Sequence, residues 1–167
     1  NGFAFVVQDV RGTFKSEGKY RPFVDDQVDG YDTIEWLARQ PWSNGKVGMY
    51  GASAMGIAAN EAAMANPPHL VAAFVMVARS STYDQSSFMG GVFRKELNED
   101  WLKRQKAESV LQEIFKHGVR SEFHDRSDMS KHWQQVHIPI YNYGGWYDIF
   151  SQGNIDNFLG LQAKPCA

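Results

Sequence analysis

The chain has 167 residues, of which 43% are hydrophobic and 14% aromatic, so it is long enough to bury one sizeable core. Its 17 basic and 19 acidic residues give a net charge of −2 with no basic stripe, which argues against a nucleic-acid partner. Cys166 is the only cysteine, no zinc-type His/Cys spacing occurs, and no apolar run approaches the ~18 residues of a membrane span. We therefore expect a globular domain with no metal ion or other cofactor and no membrane contact.

The first element along the chain is a short apolar, β-prone run at residues 3–7, which predicts a strand buried on both faces. It begins almost at once, without a charged leader, so we expect that upstream sequence is missing. A polar, glycine-punctuated loop, QDVRGTFKSEGKY, follows it. Asp9 and Arg11 could pair at the base of this loop, which is typical of a buttress for the rim of a site.

Helix and strand signals then alternate. Residues 29–39 (DGYDTIEWLAR) have apolar side chains at helical spacing, with Asp29 or Asp32 as the capping residue. Two short strands are predicted at residues 46–50 and 70–78. Between them lies an alanine-rich helix at residues 57–66, which Pro67 and Pro68 end. This succession predicts parallel strand pairing and an α/β fold.

The character of the sequence changes from residue 80 to about residue 135. The segment KELNEDWLKRQKAESVLQEIFKHG is charged and helical, and strand signals vanish, which indicates a helical cap inserted into the sheet. The strand pattern resumes at residues 138–143 (IPIYNY), and GGWYDIF leads into a helix that continues through Leu161.

Ser53 lies in GASAMG, directly after a predicted strand and before a helix. A nucleophilic serine needs such a tight turn, with small neighbours that allow strained backbone angles and close helix packing. The Ala54 N–H would then face a developing oxyanion at the helix N-terminus. The usual G-x-S-x-G pattern is broken, because Met55 stands where glycine is expected and the glycine is Gly56. By pattern alone, an ordinary strand–helix junction fits equally well.

Asp148 follows the strand at residues 138–143 and lies 95 residues after Ser53 (148 − 53), in the serine-then-acid order of α/β-hydrolases. A helix-capping aspartate is the alternative interpretation. No histidine follows His137, so a complete Ser-His-Asp triad is absent from this chain. For the five histidines that precede Asp148 we expect surface or cap roles: His69, His117, His124, His132 and His137. Trp42, Trp101, Trp146 and Tyr147 suit core or pocket walls.

Together these stretches resemble the cocaine esterase/X-prolyl dipeptidyl peptidase family of α/β-hydrolases. The matching segments are VVQDVRGTFKSEG, DGYDTIEWLARQPWSNGKVGMYGASAMG, the GGVFRKE region and GGWYDIF. The family's turn reads G-x-S-x-x-G, so the spacing of Gly51, Ser53 and Gly56 fits it. Ala54 departs from the tyrosine that is common after the serine.

The resemblance implies Ser53 as nucleophile, Asp148 as triad acid and Phe150 in the acyl pocket, with Trp146 and Tyr147 beside the substrate. Members that capture α-amino-acyl esters carry carboxylates just after the acid, whereas this chain has Phe150 and Ser151. It also implies that the chain is a piece of a larger enzyme. The missing parts would be the upstream strands with an oxyanion tyrosine, a histidine beyond residue 167, and a C-terminal jelly-roll domain.

The expected fold is thus a partial α/β-hydrolase fold with core segments at residues 1–82 and 136–167 and a helical cap at residues 83–135. The expected function is hydrolysis of a carboxylic ester or amide through an acyl-enzyme, on a small ester, amide or peptide substrate. An X-Pro dipeptidyl peptidase is one alternative, and a catalytically inactive α/β domain used for binding or assembly is another. Without its histidine, the isolated chain should be nearly inactive. Acyl and leaving-group specificity, oligomeric state and compartment stay open.

Overall fold

A computed structural model describes residues 2–163. The strands are β1 (Val47–Ala52), β2 (Leu70–Met76), β3 (Phe88–Met89), β4 (Val92–Phe93) and β5 (Ile140–Tyr143). The α-helices are α1 (Asp26–Ala38), α2 (Ala54–Met64), α3 (Trp101–Arg104), α4 (Glu108–Lys116), α5 (Glu122–Asp125) and α6 (Ser151–Gln162). Two π-helical segments, Thr82–Ser87 and Glu96–Asp100, and two 3-10 turns, Met129–Lys131 and Trp133–Gln135, complete the elements.

The centre of the molecule is a three-stranded parallel sheet in the order β1-β2-β5. Ala52 pairs with Met76, and Met76 pairs with Tyr143, so the three strands end in one row. The segments that follow the three strands therefore leave the sheet at the same edge. This arrangement confirms the predicted α/β class and places the segments after β1 and β5 on either side of the one after β2.

Three groups of buried side chains hold the chain together. One joins α1, α2 and the start of β2, and a second packs Ile57 and Ala59 of α2 against Ala73 and Val75 of β2. The third draws all its buried members from residues 88–114: Phe88, Leu102, Ala107, Val110, Leu111 and Ile114. The predicted division at residues 82 and 135 stays a prediction, although the inserted segment has a hydrophobic cluster of its own.

The first strand prediction is wrong. Residues 3–7 form no strand, and Phe3, Phe5 and Val7 are largely exposed. A β-strand needs a neighbour to take its backbone hydrogen bonds, and no strand among residues 2–163 pairs with this run. The ring of Phe5 lies 6.0 Å from that of Tyr50 in β1, so this run contacts the sheet through a side chain and not through strand pairing.

The start of the first helix and its predicted ion pair also need correction. Helix α1 begins at Asp26, three residues earlier than predicted, and Asp25 precedes it without a side-chain capping bond. Asp29 lies in the first turn and forms an ion pair with Arg11, so Arg11 reaches the helix instead of pairing with Asp9. The helix N-terminus favours acidic side chains, which suits Asp29 to this contact.

The inserted segment is helical but more broken than predicted. Strands β3 and β4 form a short antiparallel hairpin around Gly90 and Gly91, whose φ angles are 59° and 82°. Strands of two residues are too short to show alternation, so no strand signal is visible in this part of the sequence. The long predicted helix is interrupted near Lys106, which has a φ of 56°.

The sheet is covered on one face. Tyr50, Tyr141 and Tyr143 lie on the other face, each more than half exposed, and Phe74 stacks on Tyr141 at 5.1 Å. Strand β2 is therefore not buried along its whole length, and Val71 is 43% exposed. Within residues 2–163, no helix has the length and apolar character needed to cross a membrane.

Candidate active site

Ser53 lies in a strained turn between β1 and α2. Its φ of 56° and ψ of −120° lie in a region that residues other than glycine rarely adopt. The Ser53 N–H donates to the Met76 carbonyl at 3.0 Å, and its carbonyl accepts from the Ile57 N–H at 2.9 Å. These bonds fix the turn to β2 and α2 while the side chain, which makes no capping bond, stays exposed.

The two glycines around Ser53 are required by packing. A Cβ on Gly51 would lie 2.5 Å from the backbone of Met55, and one on Gly56 would lie 2.7 Å from the Met76 carbonyl oxygen. Both distances are shorter than non-bonded contacts allow. The displaced glycine in GASAMG thus lets α2 approach β2 closely, which explains the G-x-S-x-x-G spacing in physical terms.

Ala54 is the first residue of α2, and its N–H has no partner in the part of the chain that the structure describes. The first N–H groups of any helix are unpaired within it and carry partial positive charge. A free donor one residue after Ser53 could stabilise an oxyanion that forms beside the serine hydroxyl.

Asp148 lies in the turn between β5 and α6, at the same sheet edge as Ser53. Its Oδ1 accepts from the Phe150 N–H at 2.7 Å, and its backbone carbonyl accepts from the Ser151 N–H at 3.1 Å. The carboxylate is partly exposed and held beside the start of the helix. Asp148 does not cap α6, because the N-cap residue is Phe150 and it has no side-chain capping bond; Asp148 Oδ2 is free of hydrogen bonds among residues 2–163.

A cavity of 1280 Å³ opens at Ser53. Ser53, Ala54 and Phe150 line it, together with Phe23 and with Trp101 from the inserted segment. Trp146 and Tyr147 do not line it and are 86% and 104% exposed. The structure thus brings three of the six predicted site residues together at the cavity, and the other three, Trp146, Tyr147 and Asp148, do not line it.

Comparison with known proteins shows the family. Residues 1–108 and residues 94–165 match the X-Pro dipeptidyl-peptidase (S15 family). The chain belongs to this family. Cocaine esterase of Rhodococcus sp. is 41% identical over 83 residues, which are 50% of this chain and 14% of that protein. The chain thus spans about one-seventh of the length of this relative.

Solved structures of larger proteins share the fold. A CocE/NonD family hydrolase from Staphylococcus aureus superposes with a TM-score of 0.83 at 25% identity, over 92% of this chain and 30% of that one. An aminopeptidase from a Thaumarchaeota archaeon superposes with a TM-score of 0.73 at 22% identity, over 92% of this chain and 34% of that one. The first supports the S15-family assignment, and the second shows the fold alone.

None of the histidines in residues 2–163 of this S15-family chain hydrogen-bonds to Asp148. His69 bonds to Glu35, His117 to Ser121, and His132 to Gln135 and the Asp125 carbonyl. His117 lines the cavity, but its ring stacks on Phe123 with the centroids 4.5 Å apart. The general base of a triad is therefore not supplied by these residues in this arrangement.

The sequence reasoning missed a buried ion pair in the cavity wall. Arg79 and Glu61 approach at 3.5 Å with their side chains 3% exposed, and both line the cavity. Burial raises the pKa of Glu61 well above its usual range and lowers that of Arg79, and each partner partly offsets the effect on the other. One signal in the sequence could have indicated this pair: Arg79 ends the apolar segment LVAAFVMVAR, and Glu61 lies within the apolar segment AANEAAMA.

Proposed function

We propose that the protein carrying this chain is a serine hydrolase that cleaves carboxylic esters or amides through an acyl-enzyme. The observation that carries this proposal is the strained backbone of Ser53, held by two close glycine contacts at the mouth of the cavity. Such strain in a residue other than glycine costs stability and is found mainly at functional sites. The cocaine esterase relative and the CocE/NonD hydrolase fold support the same chemistry.

In this mechanism Ser53 Oγ attacks the substrate carbonyl, and the Ala54 N–H donates to the oxyanion. Asp148 orients a histidine that accepts the serine proton and then delivers it to the leaving group. That histidine is supplied by residues outside this chain. The unbonded Oδ2 of Asp148 and its position at the shared sheet edge support this role.

Phe150 supports an acyl pocket, because its side chain lines the cavity and packs with Ile57. Trp146 and Tyr147 are assigned to substrate contact through the resemblance alone, and their exposure leaves them available to a substrate or to the remainder of the protein. Ester cleavage is favoured over X-Pro peptide cleavage. A peptidase needs a carboxylate to bind the free amine of its substrate. Glu61 is the most buried carboxylate in the cavity wall, but it is already paired with Arg79.

Labelling of the full-length protein with a fluorophosphonate probe tests the nucleophile. We expect wild type to be labelled and Ser53→Ala to be unlabelled, with kcat on p-nitrophenyl butyrate reduced about 10⁴-fold or more. Ser151→Ala, at the start of α6, is the control and should keep both labelling and turnover. Labelling that persists in Ser53→Ala, or absence of labelling in the wild type, would contradict the proposal and favour a non-catalytic domain.

Comparing the turnover of p-nitrophenyl acyl esters with that of Gly-Pro-p-nitroanilide separates an esterase from a peptidase.

A further inference from the structure

Arg79 lies at the centre of the candidate site. It follows β2, the middle strand, so the chain reaches it between the segments that carry Ser53 and Asp148. Its residue is 4% exposed, and its side chain forms part of the cavity wall. An arginine so deeply buried is unusual unless it is paired or serves a ligand.

Three elements hold the guanidinium in place. Nη2 faces Glu61 of α2 at 3.5 Å, Nε donates to the Thr82 hydroxyl at 3.1 Å, and Cζ lies 4.4 Å from the centre of the Phe23 ring. Phe23 in turn stacks on Trp101 at 5.5 Å. The planar group is therefore fixed in orientation before any ligand arrives, which lowers the entropic cost of binding.

The hydrogen-bonding capacity of Arg79 is only partly used. A guanidinium group has five N–H donors. Among residues 2–163, Arg79 Nη1 has no acceptor, and this nitrogen is not fully buried. The contact to Glu61 is also long for a charge-assisted bond, which is usually about 2.7–2.9 Å. An arginine with free donors and a loose partner can take a second carboxylate.

The distance between Ser53 and the Arg79–Glu61 pair sets the length of the acyl chain that can connect them. Ser53, Ile57 and Glu61 recur every four residues along α2, and all line the cavity. Eight residues at ~1.5 Å rise put Glu61 about 12 Å along the helix from Ser53. A chain of several methylenes could therefore connect a carbonyl at Ser53 with an anionic group at Arg79.

We propose that Arg79 forms a carboxylate-binding subsite, so that the enzyme prefers esters or amides whose acyl chain ends in a carboxylate. This inference rests on the proposed hydrolase function. In the free enzyme Glu61 is paired with the Arg79 guanidinium, and the substrate carboxylate accepts hydrogen bonds from the N–H groups that this pair leaves unused.

The test compares p-nitrophenyl half-esters of adipic and suberic acid with p-nitrophenyl hexanoate and octanoate on the full-length protein. The wild type should prefer the acidic esters in kcat/KM. Arg79→Met combined with Glu61→Gln removes both charges together, so no buried charge is left unpaired. This variant should lose the preference by about ten-fold or more through KM, as expected for a lost charge-assisted bond.

Two further variants separate binding from structure. Glu61→Gln alone frees Arg79 and should increase the preference for the acidic esters, an effect that a structural role for the pair would not produce. Arg126→Met removes an exposed cation from the same cavity and should leave the preference within about two-fold, as expected for a solvent-screened charge.

Equal turnover of acidic and neutral esters by the wild type, or a preference retained by the double variant, would overturn the proposal. Preference for p-nitrophenyl 6-aminohexanoate would also overturn it and assign Glu61 as an amine anchor. Calorimetric binding to Ser53→Ala keeps the two proposals distinguishable. Hexanoate should bind and hexanamide should not, with binding lost in Arg79→Met/Glu61→Gln, whether or not the protein turns over esters; absence of hexanoate binding refutes the subsite.

Discussion

At the residue scale, two strained residues lie where strands of the sheet end. Ser53 has a φ of 56° after β1, and Val77 has a φ of 47° after β2. A β-branched residue in the left-handed region is a genuine outlier, because its Cβ substituents crowd the backbone. The Val77 N–H nevertheless donates to the Tyr143 carbonyl at 2.8 Å, which extends the β2–β5 ladder by one bond. The two turns together aim Ser53 and Arg79 at one cavity.

Gly56→Ala tests whether close packing holds the Ser53 turn. The new Cβ would lie 2.7 Å from the Met76 carbonyl oxygen and 3.0 Å from that of Gly51, and neither backbone atom can move cheaply. We expect a loss of about 1–3 kcal/mol in the free energy of unfolding by urea, together with reduced fluorophosphonate labelling of Ser53. Gly48→Ala in β1 is the matched control, since its Cβ would lie 3.8 Å from the Ala72 oxygen. Equal effects of the two variants would refute the packing argument.

At the element scale, one aromatic side chain packs directly on α6. Trp133, in the 3-10 turn before β5, donates from Nε1 to Asn157 at 3.1 Å, and its ring lies directly over Gly160. Because Gly160 has no side chain, α6 can pack closely against the Trp133 ring. Because Asp148 and Phe150 immediately precede α6, this contact positions them as well.

Gly160→Ala should destabilise the protein, although alanine normally stabilises a helix relative to glycine by about 1 kcal/mol. The added methyl would overlap the indole of Trp133, which is held rigidly by its hydrogen bond. We expect a net loss of about 1–3 kcal/mol by urea titration. A double-mutant cycle with Trp133→Leu provides the check: the cost should shrink when the ring is removed, and a cost that stays the same would rule out this contact.

At the scale of the whole molecule, a polar cluster ties the inserted segment to the sheet. The fully buried Asp128 accepts from the Ser81 hydroxyl at 3.0 Å and from Arg120 Nη2 at 2.7 Å. Arg120 also pairs with Asp84 and Asp125. Since Ser81 follows β2 closely, these bonds join the end of the insertion to its beginning. Truncating Arg120 would leave the buried Asp128 carboxylate without a cation, which makes this position sensitive to substitution.

His124 should make the stability of this segment depend on pH. It is fully buried between the rings of Tyr83 and Phe123, and neither ring nitrogen has a partner in the described part of the chain. Burial chiefly lowers its pKa, helped by His117 and Arg120, while Asp125 and Asp128 act in the opposite direction. The folded protein therefore resists protonation that the unfolded chain accepts below about pH 6.5.

The contribution of His124 to stability should be complete above about pH 6.5 and should be lost as the pH falls below that value. The slope is at most about 1.4 kcal/mol per pH unit, the value for one proton. Urea unfolding of the full-length protein between pH 8 and pH 5 measures it. His124→Phe should flatten the profile, whereas His137→Gln, at an exposed position, should not. An unchanged profile in His124→Phe would contradict this account.

The sequence by itself determined the α/β class, the parallel strands, the strand–helix junction at Ser53 and the order of Ser53 and Asp148. These follow from local periodicity and from glycine spacing, which depend on residues close together in the chain. Only the tertiary structure decided the rest: that residues 3–7 have no partner strand among residues 2–163, that Arg11 pairs with Asp29, and that Arg79 meets Glu61 in the cavity wall. Pairing between distant residues depends on which segments the sheet brings to one edge, and no local pattern encodes that neighbourhood.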